Sequence, residues 1–449
     1  MSPIDLPNMA ACVDDARRAL RDMSAGPATL RDYGQLLERL DQARPHVPRV
    51  YRRTMLRPFL AELKDLGEDE FRSILRRDPE GEGCLMLDIA QSLLQNAEGY
   101  EKVATGSFQE VVADLYDGFL SAEDRAEVKP PDHGVVAPLV KWGNPDAGPY
   151  TWPADATGEF GAGAGVVSLP PSHAHLGLVG WSALGHETAG HDILHADDGL
   201  LLELKKTVRE ALAAAELPDD LPAYWSSRID ETASDVLGIL NMGPAAGAGV
   251  IAYFRGFSAG GRLSTVGAES DEHPADVLRG WLAAETVRLL SFKRSDLWAD
   301  TLLRETDADA GGRPVRLGRT AVPGKVAVRS AAIVARTLVQ APLESLEGHA
   351  LGQIQDWRDR DERIVAELRR HMRSDIDARR YKQKPGHYAA HAVAAAVYEG
   401  LLVEGAEPGQ IMRRMQVVLS KMHKADPAWG PPFLGRGLGV RRLPAHGSR

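Results

Sequence analysis

Two histidines five residues apart, with a glutamate between them, constrain this 449-residue chain more than any other feature. They lie in Gly185-His186-Glu187-Thr188-Ala189-Gly190-His191, directly after the apolar run 176–184. Imidazole nitrogens are metal ligands, and a neighbouring carboxylate can act as general base on metal-activated water. The tighter H-E-x-x-H spacing keeps both histidines on one face of a regular helix. A five-residue spacing turns the second side chain away by roughly 140°. A π-type turn, with i→i+5 bonding, brings the pair back together, and such turns concentrate at functional sites. The run therefore predicts an irregular helix over residues 188–190, with Gly190 as the residue that tolerates it.

A metal site needs a third protein ligand. The stretch Ile229-Asp230-Glu231-Thr232-Ala233-Ser234-Asp235 offers one. Glu231 and Asp235 are four apart, so both carboxylates share a helical face. One can bind metal while the other accepts a hydrogen bond from the far nitrogen of a ligating histidine and fixes its tautomer. The apolar run 236–240 carries this helix into a core, where an uncompensated carboxylate pair is strongly disfavoured. His195, four residues after His191, offers a competing pair on a regular helix, or a residue standing behind the ligands.

A third element is Asp271-Glu272-His273-Pro274, followed by Arg279. Pro274 at the first position of a helix would set His273 near the start of the helix carrying Arg279. Either residue could stabilise the oxyanion of a tetrahedral intermediate. His387 and His391 form a second pair, at chelating i,i+4 spacing on an Ala-rich helix, and Tyr388 beside them could donate to an oxyanion.

The rest of the chain frames these motifs. Apolar residues make up 44% and charged residues 26%, as in an ordinary globular protein. A net charge of −10 argues against a general nucleic-acid surface. Cys12 and Cys84 are the only cysteines, too few for a thiolate zinc site or a disulfide framework. The first residues lack a basic and apolar leader, and no stretch reaches the length of a membrane span. The expectation is a soluble, cytoplasmic chain with no membrane partner.

Helical periodicity recurs in 33–40, 51–66 and 89–94, with breaks at 45–48 and 78–83. Residues 129–175 are rich in Gly, Pro and aromatics and argue against helices. The best strand candidate is Gly165-Val166-Val167-Ser168-Leu169, either a docking edge for an extended peptide or part of a small sheet covering the core. Helices return over 176–300, with breaks at 217–222, 243–249 and 256–274. Residues 312–328 suggest a hairpin or connector, and 356–380 one long helix. The Gly/Pro/Arg-rich tail from Pro427 suggests loose order. The predicted fold is mainly α with a small β element. Its regions are an N-terminal helical one (1–128), a metal-binding catalytic one holding the sheet and both motif helices (129–300), and a C-terminal helical one (301–449).

The two motifs together resemble those of gluzincin-type zinc metallopeptidases, whose second motif is a Glu-x-x-x-Asp helix. The H-E-x-x-G-H form is similar to that of dipeptidyl peptidase III. Relative to that family the chain is shorter and carries Asp230-Glu231 where the family has paired glutamates. TldD-like peptidases share the histidine spacing but add a later cysteine ligand, and neither cysteine here follows the motif. The His273-Pro274 segment with Arg279 is similar to one in several uncharacterised or membrane-bound metallopeptidases. The resemblance covers residues 186–235 and implies a zincin-like domain with a peptide substrate. It also implies zinc on His186, His191 and Glu231, Glu187 as base, and Asp235 behind a ligand. Two other readings stand beside it. Glu187, His191, Glu231 and Asp235 could hold a di-iron oxygenase centre inside a helical bundle. Alternatively, the site could be a zinc-stabilised module of a non-catalytic binding protein.

Overall fold

The apolar-periodic stretches of the N-terminal third form helices Tyr33–Ala43, Arg57–Arg77 and Glu82–Glu98 in the computed structural model. The structure describes residues 4–425 except 24–25, 29, 121–124, 126–127 and 134–135, so the tail from Pro427 lies outside the described residues. Leu36, Leu40, Phe59, Leu63, Ile89 and Leu93 are buried at helical spacing and pack into one core. A larger core draws on the helices Met9–Arg21 and Lys102–Leu120 and on nearly every helix from 183 to 425. It therefore takes residues from all three regions drawn from the sequence.

The architecture is mainly helical with two small sheets. The first holds β1 (Leu139–Trp142), β2 (Tyr150–Trp152) and β3 (Val166–Leu169), in the order β1-β3-β2. β3 runs parallel to β1 and antiparallel to β2. The predicted strand thus exists, but it is paired on both sides and cannot be a docking edge; β2 and β1 are the edges.

Pleat alternation gives this sheet two working faces. Val140, Trp142, Val167 and Leu169 enter the large core, while Leu139 and Val166 enter the smaller one. On the latter side Asp88 accepts hydrogen bonds from Tyr150 Oη (2.7 Å) and Trp152 Nε1 (2.9 Å) and pairs with buried Lys141. Thr151, one residue out of phase, faces the opposite way, toward the histidine helix.

The second sheet orders β4 (Val266–Gly267), β5 (Val315–Leu317) and β6 (Thr320–Val322), with β5 and β6 forming the hairpin expected near 312–328. Several finer expectations give way. A short helix, Ala154–Gly158, and a 3₁₀ turn, Pro171–Ala174, occupy the Gly/Pro-rich region. The 243–249 break shrinks to Gly243, because Pro244 starts a helix that runs to Phe257. The long helix at 356–380 is two, Asp359–Met372 and Asp375–Arg380, with Ser374 capping the second. Among the described residues no helix is long and apolar enough to cross a membrane.

Candidate metal centre

The histidine motif spans a short α-turn, Ala183–His186, that passes into a π-helix, Glu187–Asp192. This is the irregularity that the five-residue spacing demanded. The widened turn brings His186 Nε2 and His191 Nε2 to 3.0 Å. Gly190 has a different reason from the one expected. A Cβ there would stand 2.4 Å from Ser234 Cβ and 2.6 Å from its Cα. At the other end of the contact, Gly185 and Gly238 approach so closely that a Cβ on Gly185 would lie 3.2 Å from Gly238 Cα. Small residues therefore let the motif helix and the helix Ile229–Met242 touch backbone to backbone. Short carboxylates on the second helix can then reach imidazoles on the first.

Glu231 lies across both rings, its Oε2 3.2 Å from His186 Nε2 and its Oε1 3.5 Å from His191 Nε2. His186, His191 and Glu231 are the one three-residue group among the described residues whose ligand atoms converge within 4.8 Å. Each imidazole is held from behind. His186 Nδ1 donates to Asp235 (2.8 Å) and His191 Nδ1 to Asp230 (2.8 Å). This leaves both Nε2 atoms facing Glu231.

These residues fit a divalent ion. A tetrahedral shell with bonds near 2.0–2.1 Å has ligand atoms about 3.3 Å apart, close to the separations here. Glu231 Oε2 is buried and receives no hydrogen bond. Asp235 and Glu231 lie 2.7 Å and 3.9 Å from Arg279, and Asp230 stands at His191, so three carboxylates share one guanidinium and the cluster calls for further positive charge. Protons would otherwise supply it: burial opposes a charged His186, yet Asp235 and Glu231 outweigh burial and raise it to about 9. Burial likewise opposes charge on Glu231, but His186 and His191 beside it hold it far below the usual carboxylate range.

Glu187 is buried, and Thr151 Oγ1 donates to its Oε2 at 2.9 Å. Arg279 binds Asp235 through Nε and a terminal nitrogen, both at 2.7 Å, and stacks on Phe254. Two of its five N–H donors are thus held by Asp235, which backs His186, while Arg279 also lines the cavity. Its helix, Asp276–Arg288, begins two residues after Pro274, not at it. His273 is half exposed at the site, 3.4 Å from Glu231 and 3.0 Å from Asp271. His195 touches Asp230 (3.4 Å) and Asp155 (3.1 Å), so it backs His191 through Asp230. Asp230 raises it to about 9.

Tyr388 is not brought here. It lines a separate small cavity with His391, Asp361 and Asn241. Asn241 is ten residues along its helix from Glu231, or about 15 Å at 1.5 Å per residue. The structure adds residues that the sequence did not flag. Arg228 holds the loop bearing His273 through the carbonyls of Ala268 (2.9 Å), Glu269 (3.1 Å) and His273 (3.3 Å). Tyr253 lines the same cavity as Glu187, and its hydroxyl is buried with no hydrogen-bond partner. Burial, reinforced by Glu187, pushes that phenol up and keeps it protonated. Only a spacing pattern on the helix Pro244–Phe257 could have pointed to it. A cavity of about 730 Å³ opens onto His186, Glu187, His273 and Tyr253.

No protein-family model, curated protein or solved structure matches this chain.

Proposed function

We propose that this chain is a zinc-dependent hydrolase that cleaves a peptide (amide) bond, of the gluzincin type that its motifs resemble. The observation that carries the reading is the convergence of His186, His191 and Glu231 on one point, beside Glu187, at a cavity large enough for a substrate. A purely structural zinc site closes its remaining position with a protein ligand, whereas here one of the three, His186, lines a cavity together with Glu187. Asp235 is engaged by Arg279 and His186 Nδ1, which speaks against its serving a second iron. A cytoplasmic setting belongs to the same reading, in keeping with the unpaired thiols of Cys12 and Cys84.

In this mechanism His186, His191 and Glu231 hold zinc, which supplies Lewis acidity to water and to the substrate carbonyl. Glu187, oriented by Thr151, takes the proton from the attacking water and passes it to the leaving nitrogen. Water's oxygen thus bonds to the carbonyl carbon, the C–N bond breaks, and the amine leaves neutral. The Tyr253 hydroxyl, with no partner of its own, donates to the negative charge developing on the carbonyl oxygen. His273 is the second donor on the cavity wall. Asp230 and Asp235 keep both imidazoles in the ligating tautomer throughout.

Metal analysis by plasma mass spectrometry, combined with a peptide library, tests the reading. One zinc per chain, lost in His186→Ala and Glu231→Ala, is expected. Glu187→Gln should keep the metal and lose hydrolysis by about 10²–10⁴-fold. Normal hydrolysis by Glu187→Gln, or two irons per chain, would overturn it.

A further inference from the structure

The cavity's far wall is one face of the helix Pro244–Phe257. Val250, Tyr253, Phe254 and Phe257 fall at i, i+3, i+4 and i+7, a single helical stripe. The helix is otherwise buried, against the helix Met9–Arg21 on one side: a Cβ on Gly256 would lie 2.9 Å from Ala16 Cβ. Arg279 lies over Phe254, 4.5 Å from its ring, and the rest of the stripe faces the cavity. Val250, Tyr253 and Phe254 are half-buried, and Phe257 is 71% exposed at the cavity mouth with Val266 at 52%. Large apolar side chains left facing a concave site mark a ligand surface.

Charge selects the occupant. Besides Glu187, the wall carries Asp271 and Asp276, and its one arginine, Arg279, is bonded to Asp235. No lysine is among the described residues that line it, so Asp271 and Asp276 disfavour an acidic side chain here.

We propose that the stripe Val250–Tyr253–Phe254–Phe257 is the specificity pocket, and that it takes a large apolar or aromatic side chain beside the cleaved amide and rejects acidic ones. This rests on the hydrolase reading above. Phe257 and Val266 form its lip, and Val250 and Phe254 its floor.

The experiment uses the full chain, zinc-loaded, and acetylated, amidated pentapeptides with Phe, Leu, Ala, Asp or Lys beside the central amide. Expected is a kcat/KM for Phe and Leu roughly 10–100-fold above Ala, with Asp lowest. Phe257→Ala, at a side chain 71% exposed, should cut the ratio of Phe to Ala kcat/KM about 10-fold. The same peptides are titrated calorimetrically into Glu187→Gln protein. Cleavage without apolar preference, or a preference that Phe257→Ala leaves intact, overturns the pocket and spares the hydrolase. Absent cleavage, with Phe peptides still binding Glu187→Gln protein through Phe257, overturns the hydrolase and spares the pocket. Neither cleavage nor selective binding overturns both.

Discussion

Two histidine pairs in this chain met opposite fates. His387 and His391 have the i,i+4 spacing that chelates metal on a regular helix, yet they share no ligand point. Gly386, in the left-handed region at φ 78°, delays the helix until Ala389, so His387 lies outside it and stacks on Tyr381. His391 has both ring nitrogens occupied: Nδ1 accepts from the Tyr388 N–H (3.3 Å) and Nε2 donates to Asp361 (3.0 Å). His186 and His191 have the worse spacing on paper, but each has a carboxylate on Nδ1 and turns Nε2 outward. What separates the two pairs is therefore where the second ring nitrogen points: toward the partner imidazole and Glu231 in one, toward Asp361 in the other.

The largest contrast is metal content. His186→Ala should lose zinc, whereas His391→Ala should keep it and lose stability by about 1–3 kcal/mol through the lost His391–Asp361 hydrogen bond. Plasma mass spectrometry and thermal unfolding of both variants separate the cases; zinc loss from His391→Ala would erase the distinction. Removing the carboxylates behind the rings should have a graded effect. Asp230→Asn and Asp235→Asn should each weaken zinc affinity about 10–100-fold in a competitive chelator titration. Asp361→Asn should leave that affinity unmoved.

Gly190→Ala sharpens the geometric side. Its new Cβ meets Ser234 backbone as well as side chain, so the two motif helices must part. A loss of about 1–3 kcal/mol in thermal unfolding is expected, together with weaker zinc binding. Unchanged stability and affinity would mean that the close contact is not what builds the site.

The smallest effect is one of pH. Burial lowers His387, whose folded form stays neutral below its ordinary 6.5. The unfolded chain takes that proton first, so the contribution is present above pH 6.5 and is lost as pH falls toward the lowered folded value. An NMR titration should show His387 titrating below 6.5. A His387 that titrates above that value would contradict its burial against Tyr381.

The local chemistry of the centre was legible in the chain. A glutamate between histidines five apart requires a π-turn to work as a site, and Glu231 with Asp235 at i,i+4 must share a face; both are consequences of helical geometry alone. The helix periods and the strand at 166–169 were likewise written in apolar spacing. Partners distant in sequence were not. Thr151 reaches Glu187 only because pleat alternation in β2 sets it opposite Tyr150 and Trp152. Arg279 turns toward Asp235 and Tyr253 toward the cavity because of how helices cross, and the two motif helices meet closely through Gly185, Gly190 and Gly238. Spacing fixes which side chains share a face of one element. Which face meets which, and hence which donors remain free for chemistry, is settled by packing between elements far apart in the chain.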